Sequence, residues 1–319
     1  MYEVPIKSLL EAGVHFGHRA SRWNPKMGPY IFGKRNLIHI IDLQETLRGL
    51  FKACFFLQGV ASEGKQILFV GTKRQAQDLV SEAAGKLGMP FVAERWLGGT
   101  LTNFETIRSR LRRLEELERM ESDGTAEAMS KKELSRFSRE KRKIFRNLHG
   151  IRDMNGLPGA MVIVDARKEK TAVAEARKMG IPTVAILDTD CDPTTVDIPI
   201  PGNDDALRSI NVLLGQLVTA IEHGRSALQQ NRQIEEKQRN KDDESRERER
   251  QQKVEDQRRR ASEQQELEKI LRKAREERAQ RIQEEEGRQA RQSDDGDAGV
   301  AADPGETKAG PAGPESSEG

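Results

Sequence analysis

The sequence predicts an α/β domain with a mostly parallel sheet covered on both sides, and three observations carry that reading. Short, wholly apolar runs recur near residues 66–70, 160–164 and 183–187. A strand buried on both faces needs such an unbroken run, whereas a half-solvated strand alternates apolar and polar residues. The first two runs lead through a Gly- or Asp-containing link into a segment of helical period. Strand, helix, strand with short links sets successive strands side by side in parallel.

In chain order, residues 6–12 predict a short helix. Residues 13–36 are rich in Gly, Pro and cations without visible period, and predict an ordered loop. Residues 30–41 predict a β-hairpin whose turn, Gly33-Lys34-Arg35-Asn36, is basic. Asp42 is a helix N-cap, followed by Leu47, Leu50, Phe51, Cys54 and Phe55 at helical spacing. After the strand at 66–70, a helix is expected from about Arg74 to Leu87, ended by Gly88 and Pro90, and then a strand at 91–93.

From Asn103 the pattern changes. Phe104, Ile107, Leu111, Leu114 and Leu117 recur every three or four residues between charges. Asp123-Gly124-Thr125 marks a turn, and Leu134, Phe137, Ile144, Phe145 and Leu148 resume the stripe. Two helices with narrow apolar stripes predict a projecting, coiled-coil-like hairpin inserted at about residues 104–150. The α/β alternation then returns with a strand at 160–164, a helix at 169–179 and a strand at 183–187. Residues 198–201, Ile-Pro-Ile-Pro, predict a short edge strand, because proline cannot donate to a central ladder. Asn203 or Asp204 caps a last helix with Ile210, Leu213, Leu214, Leu217 and Ile221 on one face.

Composition divides the 319 residues into three parts. Charged residues make up 33% and hydrophobic ones only 35%, but the apolar runs are confined to residues 1–228, long enough to bury a core. Residues 229–292 are mostly Arg, Lys, Glu, Asp and Gln, with Glu244/Arg248, Glu268/Arg272, Glu277/Arg281 and Glu284/Arg288 at helical i,i+4 spacing. They predict a charged, partly helical arm, each pair contributing roughly 0.2–0.5 kcal/mol. Residues 293–319 are Gly, Pro, Ala, Ser and acids, and predict disorder. The net charge of +2 hides an asymmetry: residues 1–230 hold 34 Lys and Arg against 28 acids, the last 27 residues one Lys against seven acids. A basic domain suits a polyanionic partner. Two isolated cysteines, Cys54 and Cys191, fit neither a disulfide framework nor a zinc site and point to a reduced, cytoplasmic setting. No stretch approaches the length of a membrane span, and no secretory signal pattern opens the chain.

Several motifs together resemble those of a known family. Gly13-Val14-His15-Phe16-Gly17-His18, Trp23-Asn24-Pro25-Lys26-Met27 and Ile31-Phe32-Gly33-Lys34-Arg35-Asn36 are similar to the N-terminal signature of the bacterial small-subunit ribosomal protein two family. Phe69-Val70-Gly71-Thr72-Lys73-Arg74, Arg95-Trp96-Leu97-Gly98-Gly99-Thr100-Leu101-Thr102-Asn103, Gly156-Leu157-Pro158, Asp188-Thr189-Asp190-Cys191-Asp192-Pro193 and Ile200-Pro201-Gly202-Asn203-Asp204-Asp205-Ala206 extend the likeness in order to about residue 228. The resemblance implies a flavodoxin-like three-layer domain with an inserted helical hairpin, seated between head and body of the small subunit. It also implies contacts with small-subunit ribosomal RNA and neighbouring ribosomal proteins, among them the large protein numbered one. Asp190 stands where many relatives have Asn, and His149 where a Gly-Gly pair is common. The chain from 229 onward has no counterpart in short members.

RNA binding needs cations for phosphates and flat groups for exposed bases. Arg19, Arg22, Trp23, Asn24 and Lys26 in the N-terminal loop offer both, the rival reading being a loop whose Trp23 merely packs. Lys34 and Arg35 at the hairpin tip have few duties in a core. Lys73 and Arg74 sit where a strand meets a helix N-terminus, a place that favours anions. Arg95 and Asn103 flank the Trp-Leu-Gly-Gly motif. Arg108, Arg110 and Arg112 crowd the first hairpin helix, and residues 95–152 hold 15 cations against 9 acids.

The rival function is a nucleotide- or metal-binding α/β enzyme centred on Gly71 and Asp188. Gly71-Thr72-Lys73-Arg74 is neither a dinucleotide fingerprint nor a P-loop. Asp188, Asp190 and Asp192 after a strand offer a magnesium-like reading, and His15, His18 and His39 a zinc-like one. Turn-forming acids and structural histidines are the plainer explanations. No catalytic triad is identifiable. The expectation is a ribosomal structural protein with no catalytic residue, no cofactor, no metal, no small-molecule substrate and no membrane partner.

Overall fold

A computed structural model describes residues 5–123 and 130–293, with side chains as far as 282. The expected turn at Gly124-Thr125, the Glu284/Arg288 pair and the acidic tail lie outside the described residues.

The central sheet is built from β4 (Ile67–Val70), β5 (Phe91–Val92), β6 (Ala160–Val164), β7 (Thr183–Leu187) and β8 (Ile198–Pro201). Its order is β5-β4-β6-β7-β8 and every pairing is parallel. Renumbered along the chain this is 2-1-3-4-5, the flavodoxin-like arrangement, whose strand order reverses between β4 and β6. β8 lies at the edge, where its two prolines cost the ladder least.

Strand residues point alternately to two cores, which makes the domain three-layered. Phe69, Val162, Val164, Val184, Ile186 and Ile200 face a core shared with α1 (Ile6–Glu11), α2 (Leu43–Ser62), α3 (Gln77–Leu87) and the first turns of α7 (Leu207–Ser293). Leu68, Val70, Met161, Ile163, Ala185 and Leu187 face a second core with α6 (Lys170–Met179) and the base of a hairpin made by α4 (Phe104–Ser122) and α5 (Lys131–Leu148). Asp42 caps α2, its carboxylate accepting from Gln44 N at 2.8 Å. Ser130 and Glu133 close a capping box at the start of α5. α3 starts three residues later than expected, because residues 74–76 form a turn before it.

In the hairpin, Ile107, Leu111 and Leu148 join the second core. Further out, Leu117 and Phe137 form a separate small cluster with Met120 and Ile144. The expected stripe is therefore only partly buried: Leu134 and Phe145 are 41% and 47% exposed.

The N-terminal segment, expected as an ordered loop, contains regular structure. Phe16–Arg19 is a strand, β1, which pairs antiparallel with β3 (Ile38–Ile41), and β3 pairs with β2 (Ile31–Arg35). This three-stranded sheet is separate from the parallel one. Lys34 and Arg35 belong to β2 rather than to the turn; the turn is Asn36-Leu37, both with positive φ, 49° and 61°. Two residues in the left-handed region make the tight turn that matches the twist of a hairpin.

The backbone divides into two compact units, Met1–Lys237 and Gln238–Gly319. Within the second, the described side chains are exposed throughout. Glu244 meets Arg248 at 3.8 Å as the spacing suggests, whereas Arg272 pairs forward with Glu276 at 3.1 Å instead of back with Glu268.

Candidate nucleic-acid interface

The small antiparallel sheet collects most of the expected contact residues. Arg19 on β1 and Arg35 on β2 both register against Ile38 of β3. Residues in register share a face, so the Cα atoms of two exposed arginines lie two strand spacings apart, about 9–10 Å. Lys34, Arg22 and Trp23 are exposed as well. Arg22 borders two open clefts, one of 570 Å³ shared with Arg19 and one of 800 Å³ shared with Trp23, Arg167 and Lys168. Trp23 is 39% exposed and leans on His39, with ring centroids 5.1 Å apart. It both packs and offers a free surface. Phe32, missed in the sequence, is 79% exposed on the same strand as Lys34, at a register shift between Ile31 and Gly33. No spacing in the sequence marks it, because alternation is interrupted at that shift.

Other expected contacts turn inward. Asn24 caps the short 3-10 helix Pro25–Tyr30, its Oδ1 accepting from Lys26 N at 3.0 Å. Its backbone N donates to Thr189 O at 2.8 Å. Lys26 Nζ binds Asp192 at 2.6 Å and Thr194 Oγ1 at 3.1 Å. These contacts draw Asp192 down to about 2. Gly17 permits the approach of β1 to this region, since a Cβ there would lie 2.6 Å from Thr189.

Lys73 is the clearest reassignment. Its ammonium is held by Asp204 and Asp205, each at 2.6 Å, and Asp165 at 3.5 Å, and only 13% of the side chain is exposed. Burial works against its charge, yet the carboxylates outweigh burial and raise its pKa. That charge is compensated internally and is removed from the set of phosphate contacts, whereas Arg74 beside it is exposed.

The crevice at the strand-order reversal is filled by the chain's own groups. Glu169 accepts from Thr72 N at 3.0 Å and from the Thr72 hydroxyl. Ligands of open α/β sheets bind at this crevice, with phosphates on the amides of the strand-to-helix loop. Here an internal carboxylate takes the Thr72 amide and hydroxyl. Burial holds its pKa up, with Thr72 offsetting part of the rise.

Beside it, His18 Nδ1 lies 2.8 Å from Asp188 and Nε2 3.4 Å from Asp205. The hydrogen bond to Asp188 outweighs burial and raises His18 to about 9. Burial and the neighbouring Asp165 and Asp188 push Asp204 up to about 7, against the pull of Lys73. Asp204 Oδ2 is buried without a partner. Ligand-type atoms of His18, Asp188 and Asp204 come within 4.8 Å of one another, as do those of Asp165, Cys191 and Asp204. One divalent ion could bridge such a set, but an imidazolium has no lone pair for it. The three aspartates of the magnesium-like reading do not converge: Asp188 goes to His18, Asp190 to Arg167 and Asp192 to Lys26. His15 and His39 enter neither set among the described residues.

The loop carrying Arg95 and Asn103 is organised by a residue that sequence reasoning passed over. Glu175, on α6 and 8% exposed, accepts from Trp96 Nε1 (3.1 Å), Gly99 N (2.8 Å), Leu101 N (3.0 Å), Thr102 N (3.2 Å) and Thr102 Oγ1 (3.2 Å). Burial raises its pKa, but the converging donors win and hold it below the usual glutamate value. Trp96 is therefore a packed residue. Arg95 is exposed, and Asn103 precedes α4 with its Oδ1 accepting from the Thr106 hydroxyl rather than from a helix amide. On α4, Arg108 is bound to Asn155 at 3.0 and 3.2 Å. Arg110 and Arg112 are exposed.

Comparison with known proteins matches this architecture. The family described as Ribosomal protein S2 covers residues 9–224. The small ribosomal subunit protein uS2 of Rhodopirellula baltica is 58% identical over 224 residues, 70% of this chain and 86% of that protein. The parallel sheet, the inserted hairpin and the family match agree: this chain belongs to the ribosomal protein S2 family.

Proposed function

We propose that the small antiparallel sheet and the outer face of the hairpin grip small-subunit ribosomal RNA. Arg19, Arg22, Lys34, Arg35, Arg74, Arg95, Arg110 and Arg112 contact phosphate, and Trp23 offers a face to a base. The chain is a structural constituent of the small ribosomal subunit, with ribosomal RNA and neighbouring ribosomal proteins as partners, and it is not an enzyme. It acts in the cytoplasm, on the ribosome, between head and body of the subunit, and helps to dock the large protein numbered one. Phe32 beside Lys34 adds an apolar contact on the same strand.

The observation that carries the RNA contact is the contrast between the two groups of cations. Lys73 and Arg108 are satisfied within the fold, whereas Arg19, Arg22 and Arg35 are displayed on one small sheet and its adjoining loop without an ion pair among the described residues. The test is incorporation of tagged protein into small subunits at low and high salt. Arg19→Gln/Arg22→Gln/Arg35→Gln is expected to sediment free at a salt concentration at which the parent chain remains bound. Equal retention would remove these residues from the interface.

A further inference from the structure

Phe145 and His149, at the end of α5, form a stacked pair with ring centroids 5.0 Å apart and planes 18° from parallel. The imidazole is fixed from two sides. Its Nδ1 lies 3.0 Å from the carbonyl oxygen of Phe145 and donates to it. The ring of Phe91 meets its edge at 5.3 Å and 85°. Gly150 lets the chain pass here, since a Cβ would lie 2.3 Å from Phe91 O. The pair gives the departure at His149 a structural role: the histidine backs Phe145 from one side and leaves that ring 47% exposed.

Its surroundings are cationic. Positions three and four apart share a helix face, which places Arg142 and Arg146 next to the Phe145–His149 stack. Both are exposed and make no ion pair among the described residues. Over residues 131–148 there are eight Lys and Arg against two acids, and Glu133 of those two is used in the capping box. A rigid, exposed aromatic ring bordered by unpaired guanidinium groups matches a base with its flanking phosphates, because every base has a π-face and every link a negative charge. An apolar protein side chain would fill the ring but leave the cations unanswered.

We propose that Phe145, backed by His149, is the stacking platform for one unpaired nucleobase of small-subunit ribosomal RNA, with Arg142 and Arg146 on the adjoining phosphates. This deepens the RNA-binding reading above and rests on it.

The test uses the full chain and the small-subunit ribosomal RNA of its own cells. Phe145→Leu keeps apolar bulk and helix propensity at a half-exposed position, and its thermal unfolding is recorded to show that it folds. Ultraviolet crosslinking followed by mass spectrometry is expected to join Phe145 of the parent chain to a nucleotide. Phe145→Leu is expected to weaken RNA affinity roughly 5- to 100-fold, the range for removal of one base–aromatic stack, with the salt dependence unchanged. Arg142→Gln/Arg146→Gln is expected to lower the slope of log affinity against log salt by about 0.7 per phosphate left unneutralised. Unchanged affinity in Phe145→Leu, or a crosslink from Phe145 to a protein in the assembled subunit, overturns the platform. If Arg19→Gln/Arg22→Gln/Arg35→Gln weakens binding and Phe145→Leu does not, only the platform falls. If the parent chain itself ignores the RNA, both readings fall.

Discussion

Arg19 and Arg35 stand opposite the same residue, Ile38, from the two outer strands of the antiparallel sheet. Their separation is set by backbone hydrogen bonds rather than by side-chain contacts. The anchor points of the two side chains are therefore preorganised as a pair, while each guanidinium stays free to choose its phosphate. The double variant Arg19→Gln/Arg35→Gln is expected to change thermal stability by less than about 0.5 kcal/mol, as exposed substitutions do. Its affinity for ribosomal RNA should fall, with the salt slope reduced by about 0.7–0.9 for each phosphate no longer neutralised. Filter binding at four salt concentrations measures both terms, and an unchanged slope would show that neither guanidinium meets phosphate.

Glu175 gathers five donors from one loop. Glu175→Gln keeps the shape but loses the charge, and one of its two acceptors becomes a donor facing other donors. Hydrogen bonds to charged groups contribute about 1.5–3 kcal/mol each, and a buried unmatched group costs a similar amount. The variant is expected to lose about 2–4 kcal/mol in denaturant unfolding. A loss under about 0.5 kcal/mol, the ordinary surface range, would mean that the Trp96–Thr102 loop holds itself.

His18 sets a pH dependence. Its folded pKa, about 9, lies above the ordinary value of 6.5 because of Asp188. The stabilisation is therefore complete below pH 6.5 and is lost as pH rises through 9. Asp204 acts in the same direction: raised from 3.8 to about 7 by burial and its acidic neighbours, it favours the folded state at low pH and loses that advantage as pH rises through 7. Stability, followed by melting temperature, should decline as pH rises, between about 4 and 7 through Asp204 and between about 6.5 and 9.5 through His18, the second step by about 1–2 kcal/mol once solvent screening is allowed for. In His18→Gln the part of the decline between about pH 7.5 and 9.5 should flatten. A parental slope in that variant would assign the titration elsewhere.

The second unit should be thermodynamically silent toward the first. Its described side chains are exposed, and its helix is supported by isolated pairs such as Glu244/Arg248. Such pairs contribute a few tenths of a kcal/mol, about 0.2–0.5, and weaken with salt. Removing residues 238–319 is expected to leave the main melting transition within about 2 °C. Circular dichroism should lose a helical component that melts broadly and diminishes in about 1 M salt. A drop of about 5 °C or more in the main transition would overturn this expectation.

The parallel strands were legible because burial on both faces leaves an unbroken apolar run, and the hairpin because its seam repeats every three or four residues. Phe16–Arg19 was not, since a four-residue strand of Phe, Gly, His and Arg carries no alternation and is held by pairing with β3. Charges were legible as charges, but not their partners. Lys73, Asn24 and Arg108 looked like RNA contacts until Asp204, Lys26 N and Asn155 were found beside them. Buried acids were hidden for the same reason: Glu169 and Glu175 sit in a helix segment that reads as solvated, and only the fold brings the Thr72 and Gly99 amides to them. Phe145 was assigned to the seam, because spacing alone does not say which edge of a narrow stripe faces water.

Glu169 has one more consequence. A carboxylate fixed to the same chain competes for the Thr72 amide at an effective concentration set by its tether, of millimolar order or above even for a flexible link. A free anion of equal intrinsic affinity for that amide, present at micromolar levels, would be outcompeted. The Thr72 amide is thereby satisfied within the fold, and a phosphate group would have to displace Glu169 to reach it.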